Sequence, residues 1–172
     1  MPCTRHGAGP VLDKSDVTIH TFLVKLSKKG RYAVRALFDI AFNNEGEPTQ
    51  VKDIAERQSI PARFLEQIFQ DLKRAGIVAS KRGPQGGYSL ARGAERISVG
   101  DVIRALEGAI VLTDEAGADK GPPSRRVIDT VFRDLSAQVQ GCFDGVSIAD
   151  ICSRAEDLGV RRPGTQRHVY VI

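Results

Sequence analysis

Apolar residues recur at helical spacing along the chain after residue 24. One apolar face repeats after Ser27, whose hydroxyl can accept a hydrogen bond from the first turn of a helix. A second, shorter helix is predicted over residues 51–58. The apolar positions of the two helices are Ala33, Val34, Leu37, Ile40 and Ala41, followed by Val51, Ile54 and Ala55.

A third helix is predicted from Pro61 to about Ala75, because proline suits a first helical turn and Gly76 can end the helix. Its apolar stripe consists of Leu65, Ile68, Phe69 and Leu72. Its opposite face consists of Arg63, Glu66, Gln67, Gln70 and Arg74. The outer face of this helix is therefore made of side chains that donate and accept hydrogen bonds.

Two short strands follow, IVASKR and YSLA, joined by the turn GPQGG. Three helices and a hairpin predict a mainly α fold with a small β-hairpin, a winged helix-turn-helix whose third helix enters the major groove. The turn glycines would let the backbone approach DNA closely, and Lys81 and Arg82 would supply positive charge. The alternative is that GPQGG serves only as a tight turn.

A fourth helix begins at a capping box, Ser98 with Asp101, and buries Val102, Ile103 and Leu106. Residues 110–124 are predicted to form a polar loop. A long helix follows over about 124–143, and its stripe suits a partner surface in a homodimer, the alternative being packing on its own domain. That dimerisation stripe consists of Val127, Ile128, Val131, Phe132, Leu135, Val139 and Phe143.

Three divisions of the chain follow from these patterns. Residues 1–24 show no period and are predicted to be a disordered extension, residues 25–109 form the DNA-binding domain, and residues 110–172 hold the linker loop, the dimerisation helix and the tail. Another short helix is capped by Ser147. The chain has no window of about 18 apolar residues, so no membrane span is predicted.

The positive charge is concentrated in the predicted DNA-binding region. Residues 25–96 carry fourteen Lys and Arg against eight Asp and Glu, a net charge of +6, whereas residues 97–172 carry a net charge of −2. A local positive excess indicates a polyanionic partner, here double-stranded DNA. The three cysteines, Cys3, Cys142 and Cys152, are widely spaced, which is typical of free thiols in a reducing cytoplasm.

Most of residues 25–109 resembles the Rrf2 family of bacterial transcription regulators. The matching stretches are LSKKGRYAVRAL, FLEQIFQDLKRAGIVASKRGPQGGYSLA and ISVGDVIRALEG. The resemblance implies a homodimeric winged-helix DNA-binding protein, usually a repressor. It also implies DNA contacts from Arg63, Phe64, Glu66 and Gln67 on the third helix, and from Arg82 on a wing shaped by Gly86, Gly87 and Tyr88. Lys28, Arg31 and Tyr32 are candidate phosphate contacts, the alternative being an ordinary solvated basic face.

Several Rrf2 members hold an iron–sulfur cluster through three cysteines just before the dimerisation helix. Residues 110–124 of this chain contain no cysteine, and thiolates are what hold such clusters. The sequence resembles a cluster-free branch that controls sulfur and cysteine metabolism, with which it shares this cysteine-free loop, the LEG that ends the fourth helix and a short aromatic tail closing in isoleucine. We expect no iron–sulfur cluster and no other cofactor. The alternative is a regulator that senses redox state, through a cluster or through the thiols of Cys142 and Cys152.

An enzyme is not predicted, because the sequence has no metal-ligand cluster, phosphate loop or nucleophile motif, and His6, His20 and His168 lie near its ends. One protein partner is suggested. The last residues, Val169 to Ile172, resemble tails that enter the active site of cysteine-synthesis enzymes, where a terminal carboxylate can meet backbone N–H groups.

Overall fold

The computed structural model describes residues 26–43, 47–83, 86–112 and 122–162. Six α-helices and one β-hairpin are found in these ranges, with a single turn of 3₁₀-helix at Ala94–Arg96. None of the described helices combines the length and the apolar character that crossing a membrane requires. The elements are α1 Lys28–Asn43, α2 Val51–Gln58, α3 Ala62–Arg74, β1 Val78–Lys81, β2 Gly87–Leu90, α4 Val99–Glu107, α5 Pro123–Asp144 and α6 Ile148–Asp157.

Helix α1 is the central element of the core and packs against α2, α3, α4 and α6. It begins as predicted, because the Ser27 hydroxyl accepts a hydrogen bond of 3.0 Å from the Gly30 N–H. Helix α6, which lies beyond the predicted boundary at residue 109, contributes the fully buried Ile148 to the same core. The division into 1–24, 25–109 and 110–172 stays a prediction, and the whole of its first segment lies outside the described residues.

The turns on either side of α3 have the same hydrogen-bonding pattern. At the end of α3, Gly76 has a φ of 69°, and the Ile77 N–H bonds to the Leu72 carbonyl at 2.9 Å. At the end of α2, Ser59 takes the left-handed conformation, and the Ile60 N–H bonds to the Ala55 carbonyl. These closures end both helices sharply. The closure at Ser59 and Ile60 lies in the turn between α2 and α3, the two helices of the helix-turn-helix, and the closure at Gly76 leads from α3 into β1.

The wing is an antiparallel hairpin in which Ser80 lies opposite Tyr88. A third backbone segment, not predicted from the sequence, pairs with this hairpin at Thr49. The N–H and carbonyl of Thr49 exchange hydrogen bonds of 2.9 and 2.8 Å with the backbone of Tyr88. The segment before α2 thereby ties β2 to the helical core, and the Tyr88 ring stacks on Phe69 of α3 with centroids 4.5 Å apart.

The predicted polar loop begins as an extended segment on α5. The Leu112 N–H bonds to the Ser136 hydroxyl at 3.0 Å, and Gln140 donates to the Ile110 carbonyl at 2.8 Å. Leu112 and Val111 are both about half exposed, at 45% and 46%, beside the helix. Residues 110–112 therefore form part of the α5 surface, which corrects the prediction of a polar loop there. Residues 113–121 lie outside the described residues.

Candidate nucleic-acid interface

The predicted two-faced character of α3 is present in the structure. Leu65, Ile68, Phe69 and Leu72 are completely buried. The exposed face consists of Arg63, Glu66, Gln67, Gln70 and Arg74. The base-reading candidates thus project from a helix whose other side is fixed in the core, the arrangement a recognition helix needs.

Tyr32 and Phe64, two residues predicted to contact DNA, pack against each other. The ring of Phe64 meets the ring of Tyr32 edge to face, with centroids 5.7 Å apart, and both are half-buried at the edge of the core. Arg35 lies over the Tyr32 ring, with its guanidinium 5.7 Å from the ring centroid, and it donates a hydrogen bond to the backbone carbonyl of Gln58. Tyr32 and Phe64 therefore join α1 to the start of α3, while Lys28 and Arg31 are exposed on α1.

Two polar pairs near α3 were missed by the sequence analysis. Lys29 of α1 pairs with Asp71 of α3 at 2.7 Å, and Lys73 donates to the Ser80 hydroxyl of β1 at 2.6 Å. The hydrogen bond from Lys29 is the main cause of the lowered pKa of Asp71. These pairs hold the recognition helix to α1 on one side and to the wing on the other. Only a three-dimensional arrangement reveals them, because their partners are up to 42 residues apart in sequence.

The wing places Lys81 and Arg82 in solvent at the end of β1. Pro84 and Gln85, at the tip, lie outside the described residues. The glycines after them are close-packed against the protein itself. A Cβ atom on Gly86 would collide with the Lys81 carbonyl, and one on Gly87 would collide with the Thr49 carbonyl. Internal packing therefore requires glycine at both positions, whereas a close approach of these glycines to DNA stays a prediction.

A buried carboxylate holds α1 to the end of α2. Asp39 is fully buried and accepts hydrogen bonds from Arg57, from the Gln58 side chain at 3.0 Å and from Asn43 at 2.9 Å. The shortest contact to Arg57 is 2.6 Å, and this hydrogen bond is the largest cause of the raised pKa of the guanidinium. The network fixes the helix that precedes the recognition helix. One sequence feature pointed to it, a lone acidic residue within the apolar run LFDIAF.

The predicted dimerisation stripe is exposed on α5. Val127, Ile128, Val131, Phe132 and Leu135 are between 41% and 63% exposed, and Val139 and Phe143 are half-buried. Among the described residues of α5 only Ser136 is buried, and its hydroxyl accepts a hydrogen bond from the Leu112 N–H. The described residues therefore leave the first five positions of the stripe uncovered, while Val139 and Phe143 pack partly on the chain itself, and the role of the stripe in a dimer stays a prediction.

The described thiols differ in accessibility. Cys142 is exposed on α5, whereas Cys152 is half-buried on α6 among core residues, and burial raises the pKa of its thiol. A higher pKa means less of the reactive thiolate at neutral pH. We expect iodoacetamide at pH 7.5 to alkylate Cys142 at least several times faster than Cys152, as measured by peptide mass mapping against time. Equal rates in the folded protein would contradict this order, and urea-unfolded protein, in which both thiols are accessible, is the control.

In the ranges that the structure describes, no three His, Cys, Asp or Glu side chains come together as a metal site. Cys3, the three histidines and residues 113–121 lie outside those ranges, as do the tail residues 169–172 of the predicted enzyme contact. The described donor set thus does not fit an iron–sulfur cluster.

The sequence of this chain matches a family model and several known transcriptional regulators. A family model named Rrf2 and described as "Iron-dependent Transcriptional regulator" matches residues 26–154. The HTH-type transcriptional regulator IscR of Vibrio atlanticus is 39% identical over 138 residues, which cover 80% of each chain. The regulator of the same name from Escherichia coli is 37% identical over 140 residues, covering 80% of this chain and 85% of the relative.

Solved structures of transcriptional regulators also match the fold of this chain. The structure of T. potens IscR matches with a TM-score of 0.63 and 37% identity, covering 81% of this chain and 93% of the other. The structure of CymR, described as the global cysteine regulator of B. subtilis, matches with a TM-score of 0.62 and 34% identity, covering 77% and 98%. The predicted family resemblance and the winged-helix fold are confirmed.

One expectation is overturned by these comparisons. The lack of cysteine in residues 110–124 predicts that no iron–sulfur cluster is bound. The matching family is described as iron-dependent, and curated relatives at 37–40% identity carry the name IscR. The missing cysteines were an insufficient ground, because the absence of one ligand set does not decide whether a protein binds iron through other groups.

Proposed function

The chain belongs to the Rrf2 family of DNA-binding transcriptional regulators, and from that premise we propose that it binds a palindromic operator as a homodimer. Helix α3 enters the major groove, and the β1–β2 wing lies beside it. The observation that carries this proposal is the pairing of an exposed, hydrogen-bonding α3 face with exposed Lys81 and Arg82 on the adjoining wing. Lys73 and Ser80 hold these two parts together.

The homodimer is supported by the uncovered apolar surface of α5. Its residues Val127, Ile128, Val131, Phe132 and Leu135 face solvent together with Val111 and Leu112. Apolar surface of this kind is usually covered by a partner. A second copy of the same helix is the natural partner, because two-fold symmetric operators require a two-fold symmetric protein.

The regulator acts as a repressor without catalytic activity, in the bacterial cytoplasm where its operators lie. Two sets of target genes are supported by different findings. The likeness to a structure described as a global cysteine regulator favours genes of sulfur and cysteine metabolism. The family description favours genes that respond to iron. The cysteine-synthesis enzyme stays a predicted partner that only the sequence suggests.

The experiment that tests the function is selection of bound fragments from random DNA, followed by genome-wide mapping of sites in the host. A palindromic motif upstream of sulfur or iron genes supports the proposal and distinguishes the two gene sets. Recovery of no enriched sequence contradicts sequence-specific binding. Sedimentation of the protein with and without the selected DNA shows whether the bound species is a dimer.

Replacing Arg82 with alanine is expected to weaken binding to the selected operator by roughly 5- to 150-fold, the equivalent of about 1–3 kcal/mol for an arginine that reads a base or a narrow groove. Arg82 is the only arginine of the wing and is exposed. Fluorescence anisotropy at fixed salt measures the affinity. Arg96→Ala, which removes an exposed arginine outside α3 and the wing strands, is the control. Unchanged affinity for the Arg82 variant contradicts the assignment of the wing.

Replacing Glu66 with alanine is expected to relax base preference more than it lowers affinity. A carboxylate accepts a hydrogen bond from the cytosine amino group and disfavours other bases at that position. Repeating the selection with the variant should give a motif with one degenerate position in each half-site. Glu56→Ala, which removes an exposed carboxylate from α2, should return the wild-type motif. A wild-type motif from the Glu66 variant would show that this side chain does not read a base.

A further inference from the structure

Helices α4 and α5 are attached at two places. At the C-terminal side of α4, residues 110–112 are hydrogen-bonded to Ser136 and Gln140 of α5. At the N-terminal side, the backbone after α5 pairs with the backbone before α4. There the Val99 N–H bonds to the Val146 carbonyl at 2.8 Å, and the Ile148 N–H bonds to the Ile97 carbonyl at 2.9 Å. Helix α4 is thus held against the last half of α5 at both ends.

The second attachment contains a cluster of four charged side chains, one hydroxyl and one glycine, which we name the α4–α5 junction. It consists of Arg92, Ser98, Gly100, Asp101, Arg104 and Asp144. Arg104 binds Asp144, the last residue of α5, at 2.7 Å, and it binds Asp101 at 3.0 Å. Asp101 in turn binds Arg92 at 3.0 Å, two residues after the end of β2. The ion pairs therefore run without interruption from the end of α5 to the base of the wing.

Glycine at position 100 leaves room for the Asp144 carboxylate in this junction. A Cβ atom on residue 100 would overlap the carboxylate of Asp144, which lies at the start of α4 and accepts a hydrogen bond from the Ser98 hydroxyl at 3.4 Å. A helix start favours a nearby negative charge, so the position of Asp144 is also electrostatically favourable. The position of the Asp144 carboxylate at the start of α4, and with it the ion pair to Arg104, therefore depends on the absence of a side chain at Gly100.

We propose that Asp144 and Gly100 are positioning residues that set the angle between the winged domain and α5, and thereby the operator half-site spacing that the dimer accepts. This inference rests on the proposed homodimer. The exposed stripe of α5 lies about 14–26 Å along the helix from Asp144, at about 1.5 Å per residue. A tilt of roughly 10° at the junction would move the far end of the stripe by about 4 Å, which exceeds the rise of one base pair, about 3.4 Å.

The junction controls geometry and contributes little to stability. Its ionic side chains are partly exposed, with 44% of the Asp144 side chain and 36% of the Arg104 side chain in solvent. Exposed ion pairs stabilise a fold only weakly. The variants Asp144→Ala and Gly100→Ala should therefore fold, form dimers and differ from the wild type in the DNA geometry that they prefer.

The test uses the palindrome selected by the full-length wild type and versions with one or two base pairs added or removed between the half-sites. The wild type is expected to lose at least tenfold in affinity when the spacing changes by one base pair. For Asp144→Ala this loss should shrink to threefold or less, and for Gly100→Ala the preferred spacing should shift or the preference should weaken. Asp134→Ala, with the same charge change on the same helix, and Gly141→Ala, where a Cβ meets open space, should match the wild type.

Wild-type spacing profiles for both junction variants overturn the inference while the homodimer proposal stands. A wild type that binds the palindrome as a monomer, or without any spacing preference, overturns the homodimer proposal and this inference with it. Melting temperature and sedimentation equilibrium of each variant identify misfolding. If either junction variant misfolds, the remaining one decides, and misfolding of both contradicts a role confined to positioning.

Discussion

Replacing Phe132 with glutamate is expected to leave the protein monomeric and to lower its affinity for the palindromic operator by at least 100-fold. Phe132 lies in the middle of the exposed apolar stripe of α5 and is 43% exposed in the single chain. A carboxylate placed in a contact between two copies of this stripe would lose its water without gaining a partner. Losing the dimer removes the second half-site contact, which in a linked pair of binding modules contributes roughly 10²- to 10⁴-fold.

Sedimentation equilibrium measures the association state, and anisotropy with the selected palindrome measures the affinity. Ala137→Glu is the matched control, because residue 137 is exposed on the opposite side of the same helix and the charge change is identical. The control should remain a dimer with wild-type affinity. A Phe132→Glu variant that stays dimeric would show that the α5 stripe is covered by something other than a second copy.

The fold was predictable where a periodic pattern and a local cap agree. The buried side of α3, from Leu65 to Leu72, follows helical spacing, and the end at Gly76 follows from the conformation that glycine permits. The capping box at Ser98 and Asp101 is also present in the structure. In each case the residues that decide the structure lie within one or two turns of each other in sequence.

Features that depend on distant residues could not be predicted in the same way. Thr49 pairs with Tyr88 across 39 residues of sequence. A single paired position produces no periodic pattern from which the pairing could be predicted. The composition of the turn predicts a DNA approach for Gly86 and Gly87, which stays a prediction, whereas their close packing against Lys81 and Thr49 of the protein itself is visible only in the structure. Val111 and Leu112 were placed in a polar loop, because the composition of residues 110–124 as a whole concealed a short apolar start that docks on α5.

The candidate site also contains features that were predictable from nearby residues and features that were not. The exposed polar face of α3 was predictable from its spacing alone, and the charged wing from its composition. The side chains that hold these parts in place, Lys29 with Asp71 and Lys73 with Ser80, were not. Residues that meet DNA need only be exposed on one element, whereas residues that position an element need a partner on another.

Asp39 is the strongest example of such a positioning group, and its replacement by alanine is expected to lower the free energy of unfolding by about 2–4 kcal/mol. Removing one member of a buried ion pair typically costs about 3–5 kcal/mol. Arg57 can partly regain water because 35% of its side chain is exposed, so the loss should lie toward the lower end. Urea unfolding at constant m-value measures the change, and Asp134→Ala, at an exposed site on α5, should change the stability by less than about 0.5 kcal/mol.

The double variant Asp39→Ala, Arg57→Ala separates the ion pair from the rest of the network. Asp39 also accepts hydrogen bonds from Asn43 and Gln58, so removing Arg57 alone leaves the carboxylate with two of its partners. Because those two partners are neutral and Asp39 is fully buried, Arg57→Ala should cost at least as much as Asp39→Ala, and the double variant should cost less than the sum of both. Gln58 is the last residue of α2, and losing its hydrogen bond to Asp39 would make the turn between α2 and α3 more mobile. Operator affinity should therefore fall together with stability. A loss for Asp39→Ala below about 0.5 kcal/mol would show that the network contributes nothing beyond what water provides.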